Sequence, residues 1–186
     1  MNHESLIATK ARRVRTVAGK DNLMEFGLRR AQGKSAGVYG ARSAMIGGFN
    51  GTSNVLAGAK FGMPVLGTMA HSWIMSFSSE LEAFRAYARQ YPNNLILLAD
   101  TYNTLKQGVP DAITIFKEMK AAGTLPKAYG IRLDSGDLAY LSKEAHKMFV
   151  EAGFPDAIIA ASNDLDENLI SELKAQGCVI NSWGVG

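Results

Sequence analysis

AYGIRLD (residues 128–134) followed by DLAYLSKEAHKMFVEAG (residues 137–153) decides the fold. The first stretch is a short, mostly apolar run of strand type. The second puts Leu138, Leu141, Ala145, Met148 and Phe149 on one helical face, and Gly153 ends it. Strand and helix together make one βα unit. The pattern repeats in both directions. Downstream lie a strand at DAIIAAS (156–162), a helix at DENLISELKAQG (166–177) and a final strand and loop at CVINSWGVG (178–186). Upstream lie a strand at MPVLGTM (63–69), a helix at SELEAFRAYARQY (79–91), a strand at NLILLAD (94–100) and a helix at DAITIFKEMKAAG (111–123). Strands separated by helices imply parallel βα units, in an open doubly wound sheet or a βα barrel. No GxGxxG follows the first strand, which weighs against a dinucleotide-binding domain. A barrel needs about eight strands. This chain reaches WGVG on its fifth, so it is expected to be part of a longer barrel.

The first sixty residues differ. NHESLIATKARRVRTVAG (2–19) reads as an amphipathic helix, and MEFGLRRAQG (24–33) as a short segment ending in a loop. ARSAMIGGFNGTSNVLAGAKFG (41–62) is rich in Gly, Ala and Ser and suggests closely packed small helices. The expected division is a helical segment at 1–62, contributing to a smaller domain and leading into the barrel, and a partial βα barrel at 63–186.

Composition narrows the function classes. The 186 residues are 47% hydrophobic and 20% charged, as in globular proteins. The net charge of +3 favours anionic ligands such as phosphates. The strongest basic cluster, KARRVR (10–15), reads as a solvated helix face, so no nucleic-acid role is expected. The single cysteine, Cys178, allows no internal disulfide and reads as a small buried strand residue. No apolar run approaches the roughly 18 residues that span a bilayer. With no signal-peptide pattern either, the expectation is a cytoplasmic protein without a membrane role.

In parallel βα folds ligands sit at the carboxyl ends of strands. Those ends carry much of this chain's polar chemistry. In IRLDSGD, Arg132 and Asp134 alternate around Leu133 and face one side. They are either a structural ion pair or a platform on which Arg132 binds a carboxylate or phosphate and Asp134 accepts hydroxyls. Asp137 caps the following helix, lines the site, or does both. ASNDLDE offers Ser162 and Asn163, with Asp164 or Asp166 as a cap. ADTYNT offers Asp100, Tyr102 and Asn103, which turn chemistry alone would explain. GFNGTSN is cradle-like but is no P-loop, since no Lys follows in the required pattern. His71 follows a strand among Thr68, Ser72 and Trp73. It is either a packed histidine or a nucleophile toward phosphorus. No second histidine lies at helical spacing and no CxxC is present, so no protein metal site is expected.

EFGLRRAQG, GGFNGTSNVLAG, GTMAHSW, LLADTYNT, IRLDSGDLAYLSKEA and ASNDLDE, in that order, resemble the nicotinate phosphoribosyltransferase family over nearly the whole chain. The resemblance implies part of a type II phosphoribosyltransferase α/β barrel. It implies transfer from phosphoribosyl pyrophosphate to nicotinate, giving nicotinate mononucleotide and pyrophosphate in NAD salvage. ATP hydrolysis is coupled through a phosphohistidine. Mg²⁺ would accompany ATP and pyrophosphate, with no organic prosthetic group, and the family forms homodimers. Residue by residue, His71 matches the phosphorylated histidine, Thr68 a neighbour of nicotinate, and Arg132 the arginine that recognises the substrate. Asp134 resembles a substrate-side residue of the related nicotinamide enzyme, with Asp134 or Asp137 holding ribose hydroxyls. Phe26 resembles that enzyme's ring-stacking aromatic and Arg29 its phosphate-binding arginine. Ser162, Asn163, Gly184 and Gly186 fall where ribose and 5′-phosphate contacts are expected. Two other readings are a quinolinate-type phosphoribosyltransferase, which uses no ATP and releases CO₂, and a non-catalytic fragment that binds phosphoribosyl ligands.

Overall fold

The computed structural model describes residues 2–186. In chain order, α1 (Asn2–Ala18) and β1 (Asn22–Glu25) precede a 3-10 turn at Gly27–Arg30. Then come α2 (Lys34–Gly47), β2 (Gly51–Thr52), α3 (Val55–Phe61), α4 (His71–Ile74), α5 (Glu80–Gln90) and β3 (Leu95–Leu98). After a π-turn at Thr104–Gly108 follow α6 (Val109–Ala121), β4 (Tyr129–Leu133), α7 (Leu138–Ala152), β5 (Ile158–Ala161), α8 (Glu167–Ala175) and β6 (Ser182–Val185). Every strand pair with a defined register is parallel. No described helix is long and apolar enough to cross a membrane.

Two compact units emerge. One comprises Thr68–Ala161 and Gly177–Ile180. Its strands lie in the order β3, β4, β5, with Leu98 opposite Arg132 and Arg132 opposite Ala160. All of β3 and β4 is buried, which is why LILL and YGIRL show no alternation: a parallel sheet is covered on both faces. The ring of Phe116 meets that of Tyr129 edge-on at 4.9 Å and also packs on Phe149 and Phe154. Each such fully buried side chain contributes about 1.5–3 kcal/mol. The helix ends follow from sequence. Ser79 caps α5 and Asp137 caps α7, each through its side-chain oxygen, and Gly153 leaves α7 with φ 86°.

The other unit comprises Met1–Gly67, Ser162–Gln176 and Asn181–Gly186. Here β1 lies between β2 and β6. Trp183, fully buried, donates its indole N–H to Asp21 at 2.8 Å, and Lys174 reaches the same carboxylate oxygen at 2.8 Å. Helices α1 and α2 approach closely because Gly47 has no side chain: a Cβ there would lie 2.5 Å from that of Ala11. Compactness thus groups residues 162–176 and 181–186 with the N-terminal segment, across the 62/63 division along the chain.

Two local expectations need correction. MPVLGTM is not a strand; only Val65 bridges to Thr52. Pro64 has no N–H to donate, and the segment's ladder is limited to Thr52 N–H on Pro64 O and Leu66 N–H on Thr52 O. The missing strand lies earlier, at β1, which four residues with polar ends do not announce. Cys178 is half-buried in the loop before β6 rather than inside a strand.

Candidate active site

Within the unit built on β3, β4 and β5, the strand ends gather one cluster. Asp100 follows β3 and its side chain is 1% exposed. One of its oxygens lies 3.1 Å from Nε2 of His71, the first residue of α4. The other accepts the Asp134 N–H at 2.8 Å and the Ser135 hydroxyl at 2.5 Å. The His71 side chain stays 37% exposed. Spacing gives His71 no partner, yet the fold brings one from 29 residues away. Such a partner is invisible to any local pattern. The only available signal is that NLILLAD ends on an acid at the end where ligands bind.

Arg132 is the last residue but one of β4 and is 8% exposed. Its Nε donates to the Thr68 hydroxyl at 2.8 Å, one terminal nitrogen to Met69 O at 2.8 Å, and the other to Asp134 at 3.2 Å. Both readings of the Arg132–Asp134 pair hold in part: the ion pair exists, and two neutral acceptors also fix the guanidinium. Thr68, His71, Arg132 and Asp134 are thus brought together, as one connected set through Asp100. Asp137 is not part of it. It is exposed, and its carboxylate caps α7 on the Tyr140 N–H at 2.9 Å.

Glu80, at the start of α5, is a further acid in this unit. It is fully buried, and neither carboxylate oxygen has a hydrogen-bond partner among the described residues. Burial, reinforced by the charges of Asp111 and Asp100, pushes its carboxyl from the ordinary 4.5 up to about 7. The folded protein therefore binds this proton more tightly than the unfolded chain does. The stability tied to that proton is fully present below pH 4.5 and is lost as pH rises to about 7. Glu80→Gln should accordingly raise the melting temperature more at pH 8 than at pH 5. Equal gains at the two pH values would contradict a buried, protonated Glu80.

The unit built on β1, β2 and β6 holds a second set. Phe26 N–H donates to Val185 O at 2.7 Å. Its ring lies against Gly184, where a Cβ would sit 2.7 Å from the ring's Cδ2. Gly186 adjoins the Phe26 backbone. Arg29 is exposed on the 3-10 turn, and its neighbour Arg30 pairs with Asp164 at 2.5 Å. Ser162 is buried, while Asn163 and Asp164 take positive φ of 98° and 50°, a conformation Asn and Asp tolerate best after glycine. Asp166 rather than Asp164 caps α8. The cradle-like GFNGTSN is consumed structurally: Asn50 accepts the Leu23 N–H and Asn54 caps α3. A cavity of about 610 Å³ in this unit is lined by Glu25, Gly27, Arg30 and Gly186, but not by Phe26 or Arg29. No cluster of three or more metal-ligating side chains occurs among the described residues.

These features define a parallel-strand α/β protein whose polar chemistry is concentrated at the carboxyl ends of its strands. The profile of the nicotinate phosphoribosyltransferase (NAPRTase) family matches residues 22–180, and the chain belongs to that family. It is 52% identical over 186 residues to the nicotinate phosphoribosyltransferase of Bacillus subtilis strain 168, covering all of this chain and 37% of the relative. It is 41% identical over 232 residues to that of Dictyostelium discoideum, covering all of this chain and 39% of the relative. The fold matches the crystal structure of human nicotinic acid phosphoribosyltransferase with TM-score 0.87 and 32% identity, over 99% of this chain and 47% of that one. The chain thus spans about two-fifths of the length of these curated relatives.

Proposed function

We propose that the protein carrying this chain transfers the phosphoribosyl group of phosphoribosyl pyrophosphate to nicotinate, releasing pyrophosphate, with ATP hydrolysis coupled through phosphorylation of His71. Family membership supports the reaction class. The observation that carries the coupling is the His71–Asp100 pair. A carboxylate only accepts, so Nε2 carries the proton and donates it in a hydrogen bond to Asp100, which leaves the ring's lone pair on Nδ1. That lone pair attacks the γ-phosphorus of ATP. The bond from phosphorus to the bridging oxygen breaks, and ADP leaves with its electrons. Asp100 meanwhile offsets the positive charge developing on the imidazole. The new phosphoryl group carries close to two negative charges and reorganises the phosphate pocket, and its hydrolysis drives turnover.

In the transfer step the pyridine nitrogen attacks the ribose anomeric carbon as the bond to pyrophosphate breaks. The transition state has oxocarbenium character, so positioning and charge stabilisation dominate. The fixed guanidinium of Arg132 suits the nicotinate carboxylate, with Thr68 beside it. Asp134 is assigned to ribose hydroxyls and Asp137 to capping. Phe26 is assigned to the pyridine ring, Arg29 to phosphate, and Ser162, Asn163, Gly184 and Gly186 to ribose and 5′-phosphate. Mg²⁺ arrives with ATP and pyrophosphate as part of the substrates and neutralises their charge. The βα units belong to a type II phosphoribosyltransferase barrel in a cytoplasmic homodimer that needs no organic prosthetic group.

Incubation with ATP labelled at its γ-phosphate tests the coupling. An acid-labile, alkali-stable label is expected on the peptide containing His71. Asp100→Asn should slow labelling by roughly 100-fold or more, since an amide no longer fixes the tautomer. Label on His3 or His146 instead, or an unchanged rate in Asp100→Asn, contradicts the phosphohistidine role.

A further inference from the structure

We propose that Glu25 is a positioning residue for nicotinate binding, acting through Gly27 and Thr52 to hold the turn that carries Phe26 and Arg29. The inference rests on the reading of Phe26 and Arg29 given above and adds a residue to it. Glu25 ends β1 and is 7% exposed. Its Oε1 accepts the Gly27 N–H at 2.5 Å, and its Oε2 accepts the Thr52 hydroxyl. Its main-chain oxygen accepts both the N–H and the hydroxyl of Ser53, at 3.0 and 3.2 Å. Thr52 in turn accepts the Asn54 N–H at 3.0 Å, and Asn54 caps α3. One carboxylate therefore ties the turn after β1 to β2 and to the start of α3.

Two features show that this is more than packing. First, no cation makes an ion pair with this carboxylate among the described residues. An anion buried without a counter-ion is costly, and an apolar side chain would fill the space at lower cost. What the carboxylate supplies is two acceptors on a rigid fork, aimed at two different segments. Second, the turn closes tightly on it: a Cβ on Gly27 would lie 2.8 Å from Oε1, so a side chain there would displace the carboxylate from its place. Phe26 is then clamped between two anchors. Its own N–H is fixed to Val185 O at 2.7 Å, and the next residue's N–H is fixed to Glu25. Its ring lies against Gly184, so the residue is held at its backbone on both sides and at its side chain. Arg29 follows two residues later, on the 3-10 turn that Gly27 begins.

The test compares Glu25→Ala, Glu25→Gln and Thr52→Val with the unaltered protein. Steady-state kinetics in nicotinate is measured alongside ATP-dependent labelling of His71, a step to which His71 and Asp100 are assigned. Glu25→Ala should raise KM for nicotinate about 10-fold or more with kcat within about 3-fold, the pattern of lost positioning in the binding step. Thr52→Val, isosteric and milder, should raise KM in the same direction. Glu25→Gln should stay within about 3-fold of the unaltered KM, since its amide still accepts from Gly27 and can donate to the Thr52 oxygen. Labelling should be unchanged in all three. A KM within about twofold in Glu25→Ala overturns the inference, as does an equal loss of kcat and labelling, which marks a general structural defect. Equal effects of Glu25→Gln and Glu25→Ala overturn it too, because charge rather than geometry would then matter. If Glu25→Ala does not fold, Thr52→Val and Glu25→Gln decide alone. An unaltered protein that forms no nicotinate mononucleotide overturns the functional reading beneath the inference, a result distinct from all of these.

Discussion

His71→Ala is expected to abolish the ATP stimulation of nicotinate mononucleotide formation, lowering the ATP-dependent rate by roughly 100-fold or more. The residue's setting makes this more than the loss of one contact. Asp100 keeps its two other donors, the Asp134 N–H and the Ser135 hydroxyl, when the imidazole is gone. His71 itself is partly exposed at the start of a four-residue helix, so the fold should lose no more than about 1 kcal/mol. The substitution therefore separates chemistry from stability. Residual transfer without ATP should persist, since Arg132, Thr68 and Asp134 remain bonded to one another. Steady-state rates with and without ATP, together with a thermal melt of each protein, check this. An unchanged ATP-stimulated rate would remove His71 from the mechanism.

Gly130→Ala should have the largest effect on the fold. Gly130 lies opposite Ile158 where β4 pairs with β5. A Cβ there would lie 2.6 Å from the Ile158 carbonyl carbon and 2.7 Å from its nitrogen, with the carbonyl oxygen closer still. These are main-chain atoms, so no rotamer change relieves the clash and the strands must part. The cost should be at least about 3 kcal/mol. For a chain of this size that is a fall of roughly 6–12 °C in melting temperature. Because Arg132 lies two residues further along the same strand, activity should fall with stability. A melting temperature within 2 °C of the unaltered protein would show that this strand pair does not need glycine.

The parts of the fold legible in the sequence are those with long-period signals. The helices α5, α6, α7 and α8 repeat their apolar residues at helical spacing, and the runs LILL and YGIRL are buried through their whole length. The caps at Ser79, Asp137 and Asp166 follow from local chemistry. What escapes local reading is short or non-local. β2 is two residues long, and β1 gains its identity only from partners beginning at Gly51 and Ser182. MPVLGTM resembles a strand in composition, but Pro64 limits its ladder. The same holds for the candidate site. Arg132 and Asp134 announce themselves by alternation. The partnerships of His71 with Asp100 and of Glu25 with Thr52 span 29 and 27 residues and exist only once the chain is folded.

Product analysis tests the proposed reaction most directly. The protein carrying this chain would be given phosphoribosyl pyrophosphate, Mg²⁺ and either nicotinate or quinolinate, with and without ATP. The predicted result is nicotinate mononucleotide and pyrophosphate in equal amounts from nicotinate, formed faster with ATP, and no CO₂. Nicotinate mononucleotide formed with CO₂ from quinolinate, and none from nicotinate, would contradict it.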